Sequence, residues 1–335
     1  MGNGLSIFGK SILSLGLFLP VVFYSHRQNQ RPLRQAVNQP LFQGIDYQRW
    51  AREDPRPNVL HIVEVNLSSP GIQPLISAPE AHSNHTQKQA QNVSTYAQTT
   101  GQFVEASGVQ IGINGNYFYE FREKAPWDFY PRSGDPVYVV GEAIGQGDRY
   151  GSPRDQWPAL CFAPLSNNED LNISNSARDH SFNPSLGGKY RAQISPKGHC
   201  PPQTDYGMAG RDLLIENGQP LAEFPNTTSD KAYSRAAVGT DELGQTLWIV
   251  IVDGKQPLYS EGMMLHELAD VFVDLDAHHA IALDGGGSST LVVNPKGTKP
   301  QVLNTPMHVK WPHQERPVAN HLGLFALPLN PVEDK

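Results

Sequence analysis

The stretch from Ser234 to Val293 constrains this chain more than any other. SRAAVGTDELGQTLWIVIVDG (Ser234–Gly254) spells a hairpin, with strands Arg235–Gly239 and Thr246–Val252 around a turn at Thr240–Gln245. A helix over about Met263–Asp276 follows, because Met264, Leu265, Leu268, Val271, Phe272 and Leu275 recur at helical spacing. HHAIALD (His278–Asp284) is the next strand. A strand, a helix and a strand joined by short links form a βαβ unit, whose two strands run parallel.

That unit sets out chemistry as well as topology. Asp253 and Asp284 each sit just past a strand end, so both emerge at one sheet edge, where open α/β sheets commonly place ligands. Folding the hairpin brings Arg235 beside Asp253. Asn114 ends another strand, in VQIGINGNYFYE (Val109–Glu120). After Asp284 come Gly285, Gly286, Gly287, Ser288 and Ser289, and then an apolar strand. Three glycines either make a generous turn or let backbone N–H groups approach an anion. No Gly-Lys-Ser/Thr ending makes this a P-loop, and no G-x-S-x-G elbow makes Ser288 a nucleophile.

The rest of the chain supplies short strands. With 28 Pro and 30 Gly, it favours strands and turns over a helical bundle. Val59–Leu67 alternates as a strand, and Ala81–Gly101 is polar and helical in its later part. Residues 121–205 read as long loops with a few strands. The fold class is therefore α+β, a mixed and largely β sheet with a βαβ unit near the C-terminus and flanking helices, without a Rossmann fingerprint.

At the N-terminus, Lys10 precedes an apolar run over Ser11–Tyr24 that has the length of a signal-peptide core and is short for a membrane span. We expect residues 1–25 to be a signal peptide or membrane anchor, 26–43 a linker and 44–330 one catalytic domain. The protein is then exported: periplasmic, secreted or membrane-anchored, touching a membrane only through this segment. Cys161 and Cys200 form one disulfide or remain two thiols. The net charge of -7, with no sustained Lys/Arg stripe, excludes a nucleic-acid partner. The histidines at 82, 85, 266, 278, 279, 308, 313 and 321 form no recognised ligand motif, so neither metal nor cofactor is expected.

GINGNYF, SRAAVG, WIVIVDG, the run from Glu261 to Val293 and RPVANHLGLF together resemble the phosphodiester glycosidase family, over about Gly44–Leu327. Asn116 departs from that pattern, standing where a second glycine is usual. The resemblance implies a hydrolase that cleaves the glycosidic bond of a sugar-1-phosphodiester in exported or cell-surface polysaccharide or glycoconjugate metabolism. Its substrate is a sugar-phosphate or glycan. The leaving group is a phosphate monoester with a second pKa near 6, so stabilising its charge matters more than protonating it. Arg235 and the Gly285–Ser289 turn then hold phosphate, Asn114 orients sugar hydroxyls, and Asp253 and Asp284 share base and charge-stabilising work, Asp284 as base or nucleophile. Two alternatives use the same corner. One is a divalent-metal phosphoesterase with both aspartates as ligands; the other is a glycan-binding or polysaccharide-assembly module without catalysis.

Overall fold

The hairpin forms in the register its turn dictates, with Arg235–Thr240 against Thr246–Val252 and Arg235 opposite Val252. On its other side Arg235–Thr240 pairs with His279–Ala282, Ala237 facing Ala282. The strands flanking the helix therefore run parallel to each other, but they do not pair. The first hairpin strand lies between them, antiparallel to both. This computed structural model describes residues 22, 24–77, 95–165, 190–227, 230–295 and 298–329.

Around the hairpin an eight-stranded sheet grows in the order Val37–Phe42, Ile45–Arg52, Asn58–Asn66, Thr246–Val252, Arg235–Thr240, His279–Ala282, Asp212–Glu216, Gln219–Pro220. Every ladder in it is antiparallel. The helix Leu265–Asp274 covers one face, packing Leu265, Leu268, Val271 and Phe272 onto Leu60, Ile62, Ala237, Val250 and Val252. Asp230 caps that helix, accepting from the Leu265 N–H at 2.8 Å.

The opposite face meets a second sheet of five strands, Gln301–Val302, Leu291–Val293, Ile111–Asn114, His321–Phe325 and Gln73–Ile76. Period-two alternation divides each strand between two environments. Ile111, Ile113, Leu291 and Val293 meet Ala236, Val238, Ile249, Ile251 and Ile281 in the main core. Val292 turns outward instead, beneath the helix Thr100–Ser107 with Phe103 and Val104. A third, five-stranded sheet adds Leu160, Phe162, Ile194 and Met208 to the core. Cys161 and Cys200 are joined as a disulfide, with Cα atoms 5.6 Å apart.

The α+β class and the largely β make-up match the sequence reading, which differs at several boundaries. Val37–Phe42, expected in a linker, is an edge strand, a position that tolerates Pro40. The expected later-part helix of Ala81–Gly101 begins only at Thr100, where the Thr99 hydroxyl caps it by accepting from Gln102 N–H. Residues 81–94 lie outside the described residues, as does the N-terminal segment through residue 21. The long Val109–Glu120 strand is two pieces, Ile111–Asn114 and Phe118–Tyr119, separated at Gly115 and Asn116. No helix among the described residues is long and apolar enough to cross a membrane.

Candidate active site

Where the two large sheets meet, a cavity of about 560 Å³ opens beside the Asp284–Ser289 turn. Its walls carry Arg211, Lys231, Arg235, Lys255 and Arg316 against two carboxyls, Glu123 and Asp284, with Tyr117, Phe118, Phe121 and Tyr233 between them. Five cations against two acids leave the lining residues with a positive balance.

Asp284 is held at the seam of the sheets. Its N–H donates to the Gly115 carbonyl at 3.2 Å, and its carbonyl accepts from Asn114 Nδ2 at 2.6 Å. Burial pushes its carboxyl up to about 6. The Arg316 charge, a Ser288 hydrogen bond, the Gly285 N–H and Lys255 pull the other way without cancelling that effect. Glu123 goes in the opposite direction. Burial alone would raise it, but the hydrogen bond with His308 and the Arg316 guanidinium outweigh burial and hold it at about 2. One cavity thus contains a carboxyl poised near neutrality and another that stays ionised.

Arg316 connects these groups. Its Nη1 donates to Ser288 Oγ at 3.1 Å, its Nη2 donates to Glu123 Oε2, and its Nε lies 3.4 Å from His308 Nδ1. The guanidinium lies 4.5 Å from the Phe121 ring centroid. Nothing near Arg316 in sequence announces this role. The residue reaches the site because His321, five positions on, pairs with Asn114, and the pairing of sequence-distant strands is not readable from local pattern. Its place at the head of RPVANHLGLF is the only signal the chain offers.

The remaining candidates are dispersed. Arg235 lines the cavity, but its Nη2 donates to Asp230 at 3.1 Å and to the Lys231 carbonyl at 2.7 Å, and its Nε to the Met263 carbonyl at 2.8 Å. It braces the chain around Asp230 rather than meeting Asp253. Asp253 is fully buried away from the cavity, accepting from Thr305 N–H at 2.8 Å and Asn304 Nδ2 at 3.2 Å, with His61 Nε2 at 3.3 Å. Strand parity explains the separation. Arg235 faces the helix side with its partner Val252, and Asp253, one residue on, faces the second sheet. Asp284 has the parity of Ala282 and shares the Arg235 face. An ion coordinated by both aspartates, as the metal alternative needs, has no place in this arrangement.

Asn114 is buried too. Its amide oxygen accepts from Thr290 N–H at 3.1 Å, so both ends of the side chain are spent positioning the turn. Most of the turn's backbone donors are engaged within the protein. The N–H groups of Gly286, Ser288, Ser289 and Thr290 donate to Ser234, Gly285, Gly286 and Asn114 respectively. The glycines instead admit neighbours. At Gly286, φ is +66° and a Cβ would lie 2.6 Å from the Tyr233 ring; at Gly287 it would lie 2.5 Å from Arg316 Nη2. Ser288 and Ser289 are both buried, Ser288 receiving Arg316 and the Ser289 carbonyl receiving Asn304 Nδ2. Asn116 clamps the following loop, donating to the Val140 and Glu142 carbonyls and accepting from Asn320 Nδ2.

The phosphodiester glycosidase family model matches residues 107–325, which carry the whole cavity. This chain belongs to that family. Among solved structures, a hypothetical protein from Synechocystis aligns at 15% identity with a TM-score of 0.50, covering 84% of this chain and 62% of its own. The chain therefore spans less than two thirds of that protein, and the likeness is one of fold. The catalytic domain of zebrafish N-acetylglucosamine-1-phosphodiester alpha-N-acetylglucosaminidase, auto-inhibited by its pro-peptide, aligns at 17% identity with a TM-score of 0.49, covering 91% of this chain and 93% of that one. No curated protein matches the chain.

Proposed function

We propose that the protein is a glycosidase-type hydrolase that cleaves the bond between an anomeric carbon and a phosphodiester oxygen, in exported or cell-surface glycan metabolism. The observation that carries this reading is Asp284, a carboxyl poised near 6 beside a guanidinium fixed by Ser288 and Glu123, in a cation-rich cavity of a phosphodiester glycosidase. In this reading Arg316 holds the phosphate. Ionised Asp284 takes a proton from water, the water oxygen bonds to the anomeric carbon, and the electron pair of the broken C–O bond leaves with the phosphate monoester. That leaving group is stable as an anion, so no strong acid need protonate it. Glu123, Ser288 and Asn114 position these two groups. The Cys161–Cys200 disulfide supports the exported setting, since such bonds persist in oxidising compartments.

The test is a synthetic sugar-1-phosphodiester, with free reducing sugar and phosphate monoester measured as products. D284N should lower kcat by roughly a hundredfold or more, and R316A by a similar factor. The wild-type kcat/KM should rise with pH through about 6 and then level, because the base must be ionised. Absence of wild-type turnover, or a D284N rate close to wild type, would overturn the reading.

A further inference from the structure

Two of the cavity's cations pair with no carboxylate among the described residues, whereas one phosphodiester carries a single negative charge. The cavity's three arginines are already matched, Arg316 by Glu123, Arg235 by Asp230 and Arg211 by Asp212. Lys231 and Lys255 line the same cavity, are exposed, and have no ion-pair partner among the described residues. Lys255 is also held in an unusual backbone state, at φ +60°, where residues other than glycine are uncommon. Its Nζ lies 4.1 Å from the Tyr233 ring centroid.

The wall repeats one arrangement, a cation over an aromatic ring, at four places among the described residues: Arg211 over Tyr117, Arg235 and Lys255 over Tyr233, and Arg316 over Phe121, the last two pairs the closest. Phe121 is 48% exposed and Tyr233 38%, and both line the cavity. An aromatic face suits the C–H face of a sugar ring, and a cation suits a phosphate oxygen. A chain in which sugars alternate with phosphates offers those two features in the same alternation. We infer that the substrate is a phosphate-linked glycan chain, with Lys255 and Tyr233 holding a second sugar-phosphate unit next to the scissile one. This inference rests on the hydrolase reading above.

The experiment compares two synthetic substrates with identical scissile bonds. One carries a second phosphodiester on the neighbouring sugar, and the other a hydroxyl there. Wild-type kcat/KM should favour the doubly anionic substrate by about fivefold at low ionic strength, and added salt should shrink that ratio. In K255G the ratio should fall toward one, and the variant should fold, because glycine suits a positive φ. Equal wild-type rates on both substrates, or a preference that survives in K255G, would overturn this inference and leave the hydrolase reading standing. Hydrolysis of neither substrate would remove both.

Discussion

Asp253 and Asp284 show how far one residue of strand parity carries. Both follow strand ends at the same edge, yet one is sealed between sheets and the other lines a cavity. The edge was legible in the sequence. The face was legible in principle too, since the hairpin register pairs Arg235 with Val252 and so turns Asp253 the other way. What the sequence could not provide is the burial that tunes Asp284. Its carboxyl is ordinarily near 3.8 and stands at about 6 in the fold, so the fold favours the protonated form. Its contribution to stability is present at low pH and is lost as pH rises through 6. D284N removes that loss. Urea melts should show D284N more stable than wild type above pH 6, by up to about 3 kcal/mol, with the gap closing below pH 4.

At the scale of elements, the hairpin, the helix Leu265–Asp274 and the strand ending before Asp284 were readable because each announces itself by local period and by short links. The glycine turn was readable as a special place, but its reason was not. Its glycines make room for side chains that arrive from elsewhere, Tyr233 and Arg316, and a local pattern cannot name distant neighbours. G287A should therefore damage both function and folding. The added Cβ meets a buried, ion-paired guanidinium and, at 3.0 Å, the Met307 carbonyl, so stability should drop by about 3 kcal/mol. Displacing Arg316 should also cost about tenfold or more in kcat/KM, measured on the sugar-1-phosphodiester.

Across the whole molecule, the two large sheets are joined at their rim by polar contacts as well as by the apolar core. Asp253 extends from the end of the strand Thr246–Val252 to Asn304 and Thr305, which follow the strand Gln301–Val302 of the second sheet. His61 and Tyr47 continue the network across the first sheet, with Tyr47 Oη 2.8 Å from His61 Nδ1. Removing that carboxylate strands buried donors on both layers. D253A should lose about 3 kcal/mol of unfolding free energy by chemical denaturation, while the folded fraction keeps its hydrolytic rate within about threefold. A collapse of kcat without loss of stability would instead return Asp253 to the reacting centre. The pairing that builds this rim, strand Ile111–Asn114 between Leu291–Val293 and His321–Phe325, joins segments far apart in the chain, which is why Arg316 and Glu123 escaped the sequence reading.

The segment from Asp284 to Thr290 has most of its backbone donors already engaged within the protein. A reactive group mounted on so finished a scaffold has little left to rearrange when a ligand arrives. Encounter there need spend little conformational freedom on ordering, and discrimination falls to shape: a ring that enters askew finds no yielding surface to correct it.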